Sequence, residues 1–167
     1  MAENDKRAGS WQTAGFMLPE EVSLPPEERL TEGPVAVIEC PQEIPCDPCR
    51  ENCPTGAITM EGINGIPEVD HEKCTGCSIC VESCPGLAIF TVDASPEQGC
   101  RITLPYEFGL PEIGEDVIGL NRKGKEVTRA TVEDIKTKDQ SAADTPTVTV
   151  KLPEKYINEV RNIRRSE

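Results

Sequence analysis

A chain of 167 residues that is 37% hydrophobic but only 4% aromatic, with 15 Pro, 13 Gly and 9 Cys, has room for one modest domain and little material for a large core. Its 17 basic against 30 acidic residues leave a net charge of −13, which argues against an electrostatic grip on nucleic acid or anionic lipid and favours a basic partner. The longest apolar runs, Val35 to Ile38 and Leu87 to Phe90, are four residues long, far short of the roughly 18 that a membrane-spanning helix needs.

The chain opens with MAENDKRAGS, which lacks the apolar segment of a secretory signal, so a cytoplasmic protein is expected. Thiols stay reduced there, and nine cysteines point to metal rather than disulfides. Across residues 1–33 the charge is −4, and acidic residues gather around Pro19 and Pro25-Pro26 with neither a helical nor an alternating period. That pattern predicts an extended arm. Trp11 and Phe16-Met17-Leu18 are apolar features that a purely solvating tail would not need, so the arm is expected to pack on its own body or on a partner subunit, with a mobile tail as the alternative.

Residues 34–104 carry −8 and all nine cysteines. They open with a strand, Pro34 to Glu39, and then repeat. A shift of 31 residues places Cys46 on Cys77, Cys49 on Cys80, Glu51 on Glu82, Cys53 on Cys84, Pro54 on Pro85, Ala57 on Ala88 and Ile58 on Ile89, the signature of an internal duplication. Each half reads as a cysteine loop, a helical turn ending in Cys-Pro, and a β-hairpin. The hairpins join Ala57–Glu61 to Ile66–Val69 across Asn64-Gly65, and Ala88–Val92 to Cys100–Leu104. A unit of about 70 residues is small for a purely apolar core, so metal is expected to supply part of its folding free energy.

Residues 105–167 are nearly neutral at −1 and lack cysteine. Val117–Asn121 and Lys125–Ile135 flank Arg122-Lys123-Gly124 as a hairpin, Lys138–Asp144 is a loop, and Thr145–Leu152 has the β-branched alternation of a strand. The end, PEKYINEVRNIRR, predicts a helix: Pro153 lies in the first turn, Tyr156, Val160 and Ile163 share a face, and Arg161, Arg164 and Arg165 suit the C-terminal dipole. The expected fold class is therefore α+β, with an extended arm (1–33), a duplicated core (34–104) and a small β-rich module closed by a helix (105–167).

The run Cys74-x2-Cys77-x2-Cys80-x3-Cys84-Pro85 lets one loop reach three corners of an iron–sulfur cubane, while a helical turn carries the fourth cysteine away to a second cluster. Over residues 34–104 the chain resembles the bacterial-type ferredoxins with two [4Fe-4S] clusters. The first half departs from that pattern, reading Cys40-x5-Cys46-x2-Cys49-x3-Cys53-Pro54, and the 31-residue shift puts Glu43 where a cysteine belongs. Cys40, brought in by a loop holding Pro41 and Pro45, is the expected replacement. A [3Fe-4S] cluster, or an oxygen ligand from Glu43 or Asp47, is the alternative for this first site.

The resemblance implies a crossover: Cys40, Cys46, Cys49 and Cys84 on one cluster, Cys53, Cys74, Cys77 and Cys80 on the other. It also implies an apolar jacket of Ile44, Ile58, Ile79, Leu87, Ile89 and Val92. Cys100 is expected to be a buried small hydrophobe, and His71 an exposed loop residue able to make one cluster pH-sensitive. Paired four-cysteine zinc sites would not require a third cysteine two residues on or the Cys-Pro pairs, and a lone histidine excludes a Rieske centre.

No nucleotide loop and no acid or base beside a nucleophile can be found, so the expected function is electron transfer rather than catalysis. The string GPVAVIECPQEIPCDPC followed by NCPTGAI also resembles the small iron–sulfur subunits of flavin-dependent oxidoreductases, including amino-acid dehydrogenase complexes of anaerobic bacteria. That resemblance implies a stable hetero-oligomeric complex with a flavin-containing oxidoreductase subunit. A standalone ferredoxin carrier using its acidic face, or a redox sensor that responds to cluster loss, are the other readings.

Overall fold

The structure, a computed structural model, describes residues 11–166; the sequence reading of MAENDKRAGS lies outside them. In chain order the elements are α1 (Trp11–Ala14), a 3-10 turn (Pro19–Glu21), α2 (Glu27–Thr31), β1 (Val35–Ile38), α3 (Pro48–Glu51), β2 (Ile58–Thr59), β3 (Glu68–Val69), α4 (Ile79–Ser83), β4 (Ile89–Asp93), β5 (Arg101–Pro105), β6 (Asp116–Leu120), β7 (Glu126–Lys136), a 3-10 turn (Lys138–Gln140), β8 (Thr147–Lys151), a 3-10 turn (Glu154–Tyr156) and β9 (Asn162–Arg165). Seven strands form one antiparallel sheet in the order β1-β4-β5-β8-β7-β6-β9, and β2 pairs separately with β3. Strands from both sides of position 105 thus share one ladder.

The edge strand β1 and its neighbour β4 explain the apolar runs. All four residues of β1 and all five of β4 are buried, because these strands are covered on both faces. Period-two alternation divides their side chains. Val35, Val37, Phe90 and Val92 enter a core with Ile102, Leu104, Val117, Val132, Val148, Val150 and Ile163, whereas Ala36, Ile38 and Ile89 turn to a second cluster with Ile58, Val81 and the thiols of Cys49, Cys80 and Cys84. β1 and β4 are therefore a wall between an apolar core and a cysteine-bearing layer.

Two expectations are corrected. Residues 11–33 are not one extended arm: they hold three short helical pieces, and Val22 and Leu30 are buried in the main core with Met17 and Leu24 packed against it. Burial of these side chains overrides a local sequence with no helical period. The C-terminal helix is also absent. Residues 154–156 form a single 3-10 turn, and Asn162–Arg165 add to the sheet edge, pairing with β6 in the register Gly119↔Ile163. A helix of about a dozen residues is marginal in water, whereas the open edge of β6 offers a full row of hydrogen bonds. The apolar side chains are buried either way, Ile157, Val160 and Ile163 all entering the core.

Candidate iron–sulfur centre

The 31-residue repeat has a structural counterpart. α3 begins at Pro48 and α4 at Ile79, and the N–H groups of Glu51 and Glu82 donate to the carbonyls of Asp47 and Ser78 at 3.0 and 3.1 Å. After each Cys-Pro, Gly56 N–H donates to Cys53 O and Leu87 N–H to Cys84 O, both at 3.2 Å. Gly56 and Leu87 both take positive φ, 63° and 52°. A turn that needs the left-handed region is thus built once with glycine and once, under strain, with leucine.

These turns and loops bring the cysteines together in two groups of four. One small void is lined by Cys40, Cys46, Cys49 and Cys84 together with Ile44, Pro48, Pro67, Pro85 and Ile89. The other, equally small, is lined by Cys53, Cys74, Cys77 and Cys80 together with Ala36, Ala57 and Ile58. We call them site A and site B. In each, three thiols come from one half of the repeat and the fourth from the other half. Glu43 is absent from the lining of site A and sits on an outer groove, and Asp47 is paired with Arg50 at 2.9 Å.

The thiols sense one another in the same groups. Burial pushes Cys49 up to about 11, and the Cys84, Cys46 and Cys40 thiolates add to it. Burial raises Cys46 as well, reinforced by Cys84, Cys40 and Asp47. In site B, burial pushes Cys80 up to about 12, with Cys74, Cys77 and Cys53 contributing repulsion. Cys53 goes the other way: burial opposes its ionisation, but hydrogen bonds from the Thr55 hydroxyl and the N–H groups of Ile58, Thr55 and Ala57 outweigh it. Four thiolates in an apolar pocket repel unless positive charge lies among them. Four thiols lining one small, largely apolar space are the donor set that an iron–sulfur cluster takes. Backbone N–H groups already face the sulfurs, from Ala36 to Cys74 Sγ and from Ala88 to Cys84 Sγ, each at 3.4 Å.

Each site is braced from outside the repeat. Next to Cys40, the buried Glu39 carboxylate accepts from Arg122 Nη2 at 2.6 Å and Arg161 Nε at 2.5 Å. Burial alone would raise the Glu39 carboxyl, but the two guanidiniums hold it below the usual carboxylate range. Glu39 N–H donates to Ala88 O at 2.8 Å, whose own N–H reaches Cys84 Sγ. The contact joins β1, at one edge of the sheet, to the segments beside β6 and β9 at the other, so the sheet curls until its ends meet. At site B the brace comes from α2. Arg29 donates to His71 O and Cys74 O at 2.7 Å, and to Gly33 O and Pro34 O at 3.0 and 3.1 Å. Gly76, in the Cys74–Cys77 loop, has φ +66°, and a Cβ there would stand 2.3 Å from Pro34 O. Glycine is obligatory at that crossing.

Several predicted roles shift. Ile58 and Ile89 are buried beside the thiols, but Val92 belongs to the main core and Ile44 is exposed, while Val81, Ala36 and Ile38 complete the layer. Cys100 lines neither site and packs against the main core; burial pushes it up to about 11, helped by Glu154 and Asp93. His71 is half-buried rather than exposed, and burial, with Arg29 nearby, lowers its pKa. The braces, Arg29 and the Glu39–Arg122–Arg161 group, were missed because no local pattern marks them.

Residues 67–90, which contain Cys74, Cys77, Cys80 and Cys84, match the family described as the 4Fe-4S binding domain. The chain is 54% identical over 49 residues to one subunit of the Na(+)-translocating ferredoxin:NAD(+) oxidoreductase complex of Acetobacterium woodii, covering 29% of this chain and 14% of that protein. It is 49% identical over 43 residues to an uncharacterized ferredoxin of Methanocaldococcus jannaschii, 26% of this chain and 27% of that one. With one subunit of the sulfite dehydrogenase of Allochromatium vinosum it shares 37% identity over 65 residues, 39% of this chain and 25% of that one. The chain thus spans no more than 27% of the length of these relatives. No solved structure matches. Among the described residues no helix is long and apolar enough to cross a membrane.

Proposed function

We propose that the chain is an electron-relay subunit with two [4Fe-4S] clusters, site A held by Cys40, Cys46, Cys49 and Cys84, and site B by Cys53, Cys74, Cys77 and Cys80. The observation that carries the reading is the crossover of thiols: each void takes three cysteines from one half of the repeat and one from the other. A bound [4Fe-4S] cluster accepts and releases one electron. The chain's own residues fix the sulfurs on α3, α4 and the Cys-Pro turns, keep water away with Ala36, Ile58, Val81 and Ile89, and donate N–H groups from Ala36 and Ala88 to the sulfurs, which favours the more negative state.

In this reading the subunit sits in a stable cytoplasmic complex and passes single electrons between a flavin-containing oxidoreductase subunit, of the amino-acid dehydrogenase type, and another carrier. Support comes from the motif around Cys40 and from relatives named as subunits of oxidoreductase complexes. The test is anaerobic iron and sulfide quantitation with EPR of the dithionite-reduced protein, in wild type and Cys40→Ala. About eight irons and two interacting reduced clusters, with a selective loss in the variant, are expected. About four irons, or an oxidised-state signal unchanged by Cys40→Ala, would overturn the two-cluster assignment.

A further inference from the structure

We propose that the face covering site A is the docking surface for a redox partner protein whose contact patch is basic around an apolar centre. The proposal rests on the electron-relay reading and adds which end of the relay meets that partner and by what chemistry.

Five large apolar side chains remain exposed among the described residues, and three of them, Ile44 (46%), Ile63 (54%) and Ile66 (37%), belong to the cover of site A. Ile44 lines the thiol void itself, so one side chain touches both the void and solvent. The Ile63 carbonyl accepts the Cys46 N–H at 3.1 Å. Ile66 lies between two surface depressions. One is a groove lined by Glu43, Thr59, Met60, Glu61, Asn64, Gly65 and Glu68, and the other includes Met17, Ile38, Cys40 and Val69. The other two exposed apolar residues, Phe108 and Ile113, line neither thiol void.

The rim has one sign of charge. Glu43, Glu61 and Glu68 are exposed, and none has an ion-pair partner among the described residues. No Lys or Arg lines either depression. An exposed apolar centre within unpaired carboxylates is the complement of a partner patch with an apolar centre and a Lys/Arg rim: the rim steers the encounter and the centre holds it. Because Ile44 is shared by the surface and the void, a single side chain stands between a partner seated there and site A.

The test uses the iron-loaded holoprotein and cytochrome c, a strongly basic haem protein, as probe. Dithionite reduces the holoprotein, excess reductant is removed, and one electron per event then passes to ferric haem, which becomes ferrous, with no proton transferred. Stopped-flow rate constants are measured over a salt series for wild type, for Glu61→Lys with Glu68→Lys, for Ile63→Ser, and for the control pair Glu97→Lys with Glu154→Lys. The control residues are exposed near the Cys100 end of β5, which pairs with the Asp93 end of β4 and so lies at the opposite end of that strand from Ile89, and they give the same change in net charge. The rim pair should lower the low-salt rate about tenfold and flatten its salt dependence, while the control pair stays within about twofold. Ile63→Ser should lower the rate at every salt concentration. Iron content and midpoint potential should be unchanged in all variants.

Equal losses in the rim and control pairs would assign the effect to net charge and overturn the face. A wild-type dimer in sedimentation that Ile63→Ser dissociates would give the face to a second copy of this chain and overturn the basic partner. A wild-type holoprotein that holds iron but reduces no cytochrome would overturn the electron-relay reading itself, and this inference with it.

Discussion

Site A and site B are made from one backbone template used twice, and they differ in how they are supported. The helical turns, the Cys-Pro turns and the positive φ at Gly56 and Leu87 recur at an offset of 31 residues. Site A, however, takes one of its three first-half thiols from Cys40, two residues beyond β1, and is braced by a buried ion group reaching from the C-terminal segments, whereas site B has a compact loop gripped by Arg29 from the N-terminal segment. The lesson is that a repeated local geometry can specify where thiols converge, while residues far outside the repeat specify how firmly each set is held.

Removing iron should break the comparison most strongly. Among the described residues the sheet core holds 18 buried side chains, whereas the thiol layer holds eight, three of them cysteines. At about 1.5–3 kcal/mol per fully buried large aliphatic side chain, the first can stand alone and the second cannot, so the metal's binding free energy is folding free energy for that layer. After chelation under reducing conditions, hydrogen exchange should show protection lost over residues 46–88 and retained in β5 to β8. Global unfolding would mean the two layers are one cooperative unit.

Next in size is the pair of braces. Glu39→Ala leaves two guanidiniums buried without a counter-charge, and breaking a buried ion group in this way costs about 3–5 kcal/mol. Arg29→Ala removes a charged donor from four carbonyls in a partly exposed setting, a loss of about 1.5–3 kcal/mol. Denaturant midpoints should fall in that order. Iron release should begin at site A in the first variant and at site B in the second; the same site failing first in both would show that the braces are not site-specific.

The smallest effect concerns the shared turn. Gly56→Ala adds a Cβ that meets nothing within 4 Å, so only the positive φ is penalised, by about 1 kcal/mol. In Leu87→Gly, release of about 1–2 kcal/mol of left-handed strain is offset by lost side-chain burial and by the greater freedom of glycine in the unfolded chain, leaving stability within about 1 kcal/mol of wild type. Thermal melts of the two variants test this, and an equal loss in both would mean the turns are not equivalent.

What the sequence settled by itself is local. The spacing Cys74-x2-Cys77-x2-Cys80-x3-Cys84, the 31-residue repeat, the strand at Val35–Ile38 and the hairpins were legible because a short loop's reach is set by covalent geometry and a strand's pattern by its two-residue period. The tertiary structure decided what joins distant positions: Glu39 to Arg122 and Arg161 across 83 and 122 residues, Arg29 to Cys74 across 45, and residues 162–165 as a sheet edge rather than the end of a helix. An arginine's partner leaves no periodic trace in the chain. A segment whose apolar side chains are buried in either conformation takes the one in which its backbone hydrogen bonds are met, and here β6 offered them.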